Sequence, residues 1–173
     1  AFSRINTHDN TPAIIHMRLT EGDKLGVRIM AKGGGSENKT KFGTLNPAGS
    51  IVDWVLQSVA DMGAGWCPPG VLGIGIGGTP EKAMLLAKES LIMPIDIQAL
   101  QQHGPKTRLD ALRLELFEKI NALGIGPQGV GGATTVLDVK IKDYPTHAAS
   151  LPVALTPSCA AMRHIHFMLD GQG

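Results

Sequence analysis

The sequence predicts an α/β layered domain in which a small mixed sheet of about four strands is covered by helices. Short apolar runs typical of strands alternate along the chain with amphipathic segments typical of helices. Neither an internal repeat nor a low-complexity tract interrupts this alternation. At 173 residues and 43% hydrophobic composition, the chain is long enough to bury one core. We therefore expect residues 1–173 to form a single domain.

The first strands are predicted before residue 32. Residues 13–19 have the composition of a strand, Glu21, Gly22 and Asp23 form a turn, and apolar residues then alternate with other residues over 25–31. This pattern predicts a β-hairpin with one buried face. Three consecutive glycines from Gly33 onward exclude a continued strand or a stable helix at that point.

Capping signals predict three helices. Ser50 with Asp53 has the pattern of a capping box and opens a helix that runs to about Met62. Thr79 and Pro80 form an N-cap and N1 pair for a helix that runs through Leu91. Apolar residues at helical spacing then predict a helix over about 109–123, closed by Gly124.

The remaining strands are predicted at 71–76, at 134–141 and, less regularly, at 151–155. Val139 and Ile141 share one face of the second of these strands. Pro152 lies at the start of the third, which favours an edge strand or a strand terminus, because proline cannot donate a hydrogen bond.

Composition excludes several classes of function. Sixteen basic and fifteen acidic residues leave a formal net charge of +1, so we expect no nucleic-acid partner. No apolar run approaches the roughly 20 residues that span a bilayer, so we expect no membrane partner. With no signal peptide and only two cysteines, the sequence does not predict a disulfide-rich secreted scaffold, and we expect a cytoplasmic protein.

The two cysteines are candidate metal ligands. Cys67 precedes Pro68 and Pro69, and Cys159 follows Pro157, so both lie in loop-forming sequence. Proline fixes the backbone and removes a competing N–H, which suits a thiolate that must reach a metal. The alternative is two free, half-buried thiols that behave as small hydrophobic residues.

Two further loops carry candidate binding residues. Gly33, Gly34, Gly35 and Ser36, called the glycine run below, can present consecutive backbone N–H groups to a carboxylate or phosphate. The alternative is a flexible surface loop. His147 lies among small residues in a loop and is a candidate acid/base or substrate-binding group, or else a hydrogen-bonded histidine without chemistry. His164 and His166 have strand-like spacing and suit either metal ligands or an exposed edge strand.

Residues 73–78 match the dinucleotide pattern G-x-G-x-x-G, with Gly73, Gly75 and Gly78 at the glycine positions and Asp96 where a ribose-binding acid is expected. This alternative function predicts a parallel strand that ends at Asp96. The same glycines are equally explained by close packing of the helix that follows.

Six blocks of sequence together resemble the class I, iron–sulfur-dependent fumarases, whose framework the tartrate dehydratases share. They lie at residues 9–13, 32–39, 65–70, 75–79, 124–126 and 144–150, and lead to Cys159. The resemblance implies a hydro-lyase that reversibly hydrates fumarate to (S)-malate, with a tartrate dehydratase as the alternative. Its cofactor would be a [4Fe–4S] cluster held by three cysteines, with one iron open as a Lewis acid.

By position, Cys67 and Cys159 match the second and third of the three cluster ligands, and the first cysteine of the set is absent from this chain. Gly35 and its neighbours match the loop that binds the substrate carboxylate, and His147 matches an active-site histidine. The resemblance implies a truncated part of an N-terminal cluster-binding domain, inactive alone. It further implies a C-terminal domain or beta subunit as partner, a homodimeric parent and a small dicarboxylate substrate. A non-enzymatic alternative is a folded scaffold with free thiols.

Overall fold

The computed structural model describes residues 2–9 and 11–171. The chain divides into a smaller unit, made of the residues before Arg28 and those after Ile165, and a larger unit, Arg28–Ile165. Every candidate site residue except His166 belongs to the larger unit. Whether residues 1–173 act as a single domain stays a prediction.

The smaller unit contains little regular structure. Residues 13–19 form no strand, and Ile14, Ile15 and Met17 are exposed. The strand over 13–19, and with it the hairpin, were therefore wrong predictions, because apolar side chains alone do not supply a pairing partner. Asn10, within the first of the six blocks, lies outside the described residues.

Two strands form a separate ladder. Strand β1, Leu25–Ala31, pairs with strand β6, Arg163–Leu169, which carries His164 and His166. Both strands are largely exposed, so the buried face expected for 25–31 is not found. One helical turn, α1, Gly34–Glu37, follows β1 and replaces the purely irregular loop that the three glycines predicted.

The main sheet is mixed and has four strands, which confirms the predicted fold class. They are β2, Lys41–Leu45, β3, Gly70–Gly77, β4, Val136–Tyr144, and β5, Leu151–Cys159. The order across the sheet is β2-β5-β3-β4. Strand β3 is parallel to β4 and antiparallel to β5, and β5 is antiparallel to β2.

Helices cover both faces of this sheet. Helix α2, Ile51–Met62, and helix α5, Arg108–Ala122, enclose the main core with Leu72 and Ile74 of β3. Helix α3, Pro80–Ser90, packs on the opposite face, where the alternate residues of β3 are glycines. A Cβ atom at Gly75 would lie 1.9 Å from the Ala83 carbonyl oxygen, so only glycine permits this approach.

The predicted helices form, and their caps differ in detail. The Ser50 hydroxyl accepts a hydrogen bond from the Asp53 amide of α2 at 3.1 Å. Thr79 is the N-cap residue of α3, but its side chain makes no capping hydrogen bond. Helix α5 begins with a complete capping box between Thr107 and Asp110.

Three features of the sheet and helices were not predicted. Strand β2 was missed, and so was helix α4, Ile97–His103. Strand β5 lies between β2 and β3, so the edge-strand alternative at Pro152 was wrong, whereas the strand-terminus alternative is confirmed, because Pro152 is the second residue of β5. Cys159, predicted in loop-forming sequence, is instead the last residue of this strand. Pro152 lies next to the end of the β2–β5 ladder, opposite Thr44. Over the described residues, no helix combines the length and apolar character needed to cross a membrane.

Candidate functional site

The loop that joins α2 to β3, residues 63–69, is called the cysteine loop here. Trp66 is completely buried and anchors it in the main core, whereas the neighbouring Cys67 is exposed. The Cys67 amide donates to the Ala64 carbonyl at 3.0 Å. Cys67 has φ +60°, a left-handed conformation that non-glycine residues rarely adopt and that costs of order 1–3 kcal/mol. The fold therefore exposes this thiol at a cost in backbone conformational energy.

The register between β3 and β5 brings the second cysteine to the same end of the sheet. Cys159 is the partner of Gly70, three residues after Cys67. Just beyond this pair, the Ala160 amide donates to the Pro69 carbonyl at 3.1 Å. A Cβ atom at Gly70 would lie 2.1 Å from the Ser158 carbonyl oxygen and 2.9 Å from the Cys159 Cα. Gly70 thus permits the close approach that places the two thiols at one end, called the cysteine end below.

The second glycine-rich stretch supports the cysteine loop. The Gln128 amide donates to the Pro68 carbonyl at 2.7 Å, and the Gln128 side chain contacts the same oxygen at 3.3 Å. Gln128 has φ +54°. Gly129 packs against Ala64, where a Cβ atom would lie 2.4 Å from the Ala64 Cβ. The sequence indicated a glycine-rich segment here but not its contact with the cysteine loop.

The glycine run also approaches the cysteine loop. Gly34, Gly35 and Ser36 lie in helix α1, and the buried Ser36 hydroxyl donates to the Gly33 carbonyl at 3.0 Å. A Cβ atom at Gly35 would lie 3.6 Å from the Gly65 carbonyl oxygen. The exposed backbone of the first glycines therefore lies beside the loop that carries Cys67. Binding of a carboxylate by the glycine run stays a prediction.

A cluster of three charged side chains lies behind the glycine run. The Lys32 side chain is 6% exposed, and its Nζ lies 2.8 Å from Glu37 Oε2. Lys88 of α3 pairs with the other oxygen of the same carboxylate. Burial lowers the pKa of Lys32 from its ordinary value, and the Glu37 carboxylate offsets this only in part. Burial alone would raise the pKa of Glu37, but the ion pairs with Lys32 and Lys88 outweigh it and hold that pKa below its ordinary value.

Three buried polar atoms at this end have no hydrogen-bond partner within the described part of the chain. They are Lys32 Nζ, Trp66 Nε1 and Ser158 Oγ. Lys32 Nζ forms the ion pair with Glu37 but no hydrogen bond to a described residue. Buried donors in native proteins nearly always have partners. Trp66 precedes Cys67 and Ser158 precedes Cys159, so the orphaned donors flank both thiols and fit an acceptor-rich group bound between them.

His147 lies at the opposite end of β5. It is exposed, and its Nδ1 accepts a hydrogen bond from the Ala149 amide at 3.1 Å. Thr146 beside it donates to the Gly78 carbonyl at 2.9 Å, which fixes the loop to the far end of β3. The nine residues of β5 correspond to about 26 Å at roughly 3.3 Å per residue. Within one copy of the chain, His147 and the cysteines are not brought together.

The parallel strand ending at Asp96, which the dinucleotide-binding alternative requires, does not form. The segment after Leu91 forms turns rather than a strand, and Asp96 is the N-cap residue of α4. Its carboxylate pairs with Lys140 and Arg113. Gly73 and Gly75 lie under α3, which supports the packing explanation for both glycines.

The described residues do not bring a complete metal-ligand set together. Among residues 2–9 and 11–171, no three His, Cys, Asp or Glu side chains come together in a group that could hold a metal ion. The two thiols lie at one end of the sheet, Cys67 has a left-handed backbone, and Gly70 permits the two cysteine segments to approach. Buried donors that lack hydrogen-bond partners among the described residues flank both thiols. This arrangement fits a centre whose remaining ligand comes from elsewhere. Sequence reasoning singled out both thiols, the glycine run and His147, and their roles stay predictions. It missed the cluster of Lys32, Glu37 and Lys88, since only the fold brings these side chains together.

Comparisons with known proteins identify the family. The family model described as "Fumarate hydratase (Fumerase)" matches residues 1–168. The "Putative L(+)-tartrate dehydratase subunit alpha" of Methanocaldococcus jannaschii is 41% identical over 165 residues, which cover 92% of this chain and 56% of the relative. The anaerobic class I fumarate hydratase of Escherichia coli K12 is 31% identical over 180 residues, which cover 99% of this chain and 32% of the relative.

A third relative is the L(+)-tartrate dehydratase subunit alpha of Escherichia coli UTI89. It is 30% identical over 169 residues, which cover 94% of this chain and 54% of the relative. The chain thus spans about half the length of the tartrate dehydratase alpha subunits that it matches, and a third of the fumarate hydratase. Since the family model covers nearly all of its residues, the chain belongs to the fumarate hydratase (Fumerase) family of hydro-lyases.

Proposed function

We propose that this chain is the cluster-binding part of an iron–sulfur hydro-lyase that reversibly hydrates fumarate to (S)-malate. The observation that carries the proposal is the β3–β5 register, which sets Cys159 opposite Gly70 and therefore beside the loop that presents Cys67. Two thiols presented by glycine- and proline-shaped backbone at one end of a sheet are suited to ligate one metal centre.

Cys67 and Cys159 would hold two irons of a [4Fe–4S] cluster, and the third thiolate would come from residues outside this chain. When bound, the cluster supplies a Lewis acid that polarises the hydroxyl group added to or removed from the substrate. The chain's own contribution is to fix the two thiolates through Trp66, Gly70 and the support of Gln128. The fragment is proposed to be inactive alone.

The glycine run would bind one substrate carboxylate through its backbone N–H groups. Its position supports this role, because Gly35 approaches Gly65 in the cysteine loop. Backbone N–H groups aimed at a carboxylate also stabilise the additional negative charge that develops there when the adjacent carbon loses a proton. The groups that transfer this proton are proposed to lie in the C-terminal domain or beta subunit.

His147 is proposed to hydrogen-bond the substrate or to assist proton transfer, as the resemblance implies. Because it precedes the start of β5, a strand about 26 Å long that ends at Cys159, we propose that it serves the site of a second copy in a homodimer. Coexpression of Cys159→Ser and His147→Asn subunits tests this role. Mixed dimers should regain turnover that each variant lacks alone, and mixed dimers without turnover would contradict it.

Dehydration of L(+)-tartrate is the second candidate function. It is favoured by the 41% identity to a protein named for the tartrate dehydratase alpha subunit, compared with 31% for the fumarate hydratase. Both substrates are dicarboxylates, and both reactions move water across adjacent carbons. On this alternative the partner is a beta subunit, as the relatives' names imply. In either case we propose a cytoplasmic enzyme.

The test uses the full-length protein together with any beta subunit, reconstituted anaerobically with iron and sulfide. Turnover of fumarate and of L(+)-tartrate is measured before and after reconstitution. We expect turnover of at least one dicarboxylate that depends on reconstitution, and the ratio of kcat/KM for the two substrates identifies which is preferred. Turnover that is equal without iron and sulfide, or absent for both substrates, would contradict the proposal.

A further inference from the structure

The cluster of Lys32, Glu37 and Lys88 carries an excess positive charge beside the cysteine end. Two ammonium groups share one carboxylate, so the three side chains together carry a net charge of +1. Glu37 and Lys88 are partly exposed, whereas the Lys32 side chain is nearly buried. The excess charge is therefore concentrated on the group that water reaches least.

Among the described residues, the Lys32 ammonium has no acceptor besides the Glu37 carboxylate. Its Nζ is buried and makes no hydrogen bond of acceptable geometry to any described residue. The Ser158 hydroxyl, on the residue before Cys159, is in the same condition. The short helix α1, which begins two residues after Lys32, packs against β5, the strand that ends at Cys159. Two buried donors near one thiol point to an anionic acceptor at that position.

We propose that Lys32 is a positioning residue for the iron–sulfur centre, where its buried ammonium stabilises the negative charge of the thiolate-ligated group on the Cys159 side. This inference rests on the proposed function. A thiolate-ligated cluster carries negative charge, and nearby charge and hydrogen bonds set its reduction potential and its retention. The substrate carboxylate is a less suitable partner, because solvent does not reach Lys32 Nζ.

Glu37 and Lys88 hold Lys32 in place. Glu37 lies on α1 and Lys88 on α3, so their ion pair ties the turn of the glycine run to the helix behind β5. Removing Glu37 leaves two cations without their shared carboxylate, and removing Lys32 leaves Glu37 paired with Lys88. Removing Glu37 makes the local charge more positive and removing Lys32 makes it more negative, so the two changes should shift the reduction potential in opposite directions.

The experiment uses the full-length protein with its cluster reconstituted anaerobically. The one-electron reduction potential is measured by spectroelectrochemical titration, and the rate of iron loss is measured with a chelator. We compare Lys32→Met, Lys32→Arg and Glu37→Gln with wild type. The matched control is Lys142→Met, which removes a half-buried lysine that pairs at 3.3 Å with Glu89 of α3, farther along the sheet toward Tyr144.

For Lys32→Met we expect a tenfold smaller equilibrium constant for reduction, a potential about 59 mV more negative, and tenfold faster iron loss. Lys32→Arg should restore both values, Glu37→Gln should make the potential more positive, and Lys142→Met should change neither. A loaded Lys32→Met protein whose potential and iron loss match wild type would overturn the inference, and a raised KM alone would reassign Lys32 to substrate binding. A wild-type protein that takes up no iron and sulfide would refute the proposed function itself.

Discussion

Gly70→Ala is expected to destabilise the chain strongly, because Gly70 is where the two cysteine-bearing segments meet. The added Cβ would lie 2.1 Å from the Ser158 carbonyl oxygen, 2.8 Å from the Trp66 ring and 2.9 Å from the Cys159 Cα. Two of these atoms belong to backbone and the third to a completely buried side chain, so none can move freely. Overpacking of this kind costs about 1–3 kcal/mol, and rigid neighbours place Gly70 near the upper limit.

At roughly 2–4 °C per kcal/mol for a chain of this size, a loss of about 3 kcal/mol lowers the Tm by about 6–12 °C. Thermal unfolding followed by circular dichroism measures this shift. Gly34→Ala is the control, because a Cβ at Gly34 meets nothing within 4 Å and alanine favours a helical turn. A Gly70→Ala protein with the Tm of wild type would refute the reasoning that β3 and β5 meet closely at this residue.

Three further predictions concern the stability of the larger unit. Asp138→Ala should cost about 3–5 kcal/mol in urea unfolding, because it removes the buried carboxylate that pairs with Lys140 at 2.8 Å and with Arg113 at 3.2 Å and leaves Lys140 paired, among the described residues, with the half-exposed Asp96 alone. Asp138→Ala combined with Lys140→Met should cost less than the two single changes summed, and strict additivity would contradict the coupling. Burial alone would raise the pKa of Asp96, but the hydrogen bonds from Lys140 and Arg113 hold this pKa below the ordinary value of an aspartate. The ionised Asp96 carboxylate therefore stabilises the fold at pH values above that ordinary pKa, and this stabilisation is lost as the pH falls through the lowered pKa. Asp96→Asn should therefore destabilise the chain at about pH 7 and progressively less as the pH falls below the ordinary range of an aspartate; a loss of the same size at every pH would be inconsistent with this sign. Thr107→Ala should cost about 1 kcal/mol through loss of the α5 cap, and an unchanged denaturation midpoint would show that this capping box contributes little.

The sequence predicted those elements whose signals are local. Helices α2 and α5 begin at capping residues and continue with apolar side chains at helical spacing, so both were found to within about two residues of their ends. Helix α4 was missed because it is short. Its N-cap residue, Asp96, forms ion pairs with Lys140 and Arg113 and makes no capping hydrogen bond. Strand β2 has only five residues and includes Gly43, so it gave no clear alternation.

Errors arose where a strand depends on its partner. Residues 13–19 have strand composition, but apolar character does not provide the ladder that a strand requires. Pro152 suggested an edge, yet only the register decides which backbone N–H groups must donate, and this proline stands at the end of the ladder, opposite Thr44. Register is a long-range property that a local pattern does not contain.

The candidate site shows the same division. Local sequence singled out Cys67 and the glycine run because proline and glycine mark irregular backbone, but the same reasoning failed at Cys159, since Pro157 and Cys159 lie in strand β5 and not in a loop. It did not reveal that Lys32 and Lys88 share Glu37, since Lys88 lies 51 residues beyond that carboxylate along the chain. It also gave no indication that His147 lies at the opposite end of β5 from Cys159, which follows only from the length of that strand.

The central claim is that Cys67 and Cys159 ligate one iron–sulfur centre together. The most direct test measures iron and acid-labile sulfide per full-length protein after anaerobic reconstitution of wild type, Cys67→Ser, Cys159→Ser and the double variant. The account predicts that each single change removes as much of the iron and of the brown chromophore as the double change, because both thiolates belong to one centre. Single variants that retain the full wild-type iron and colour, or that each lose an independent share, would contradict it.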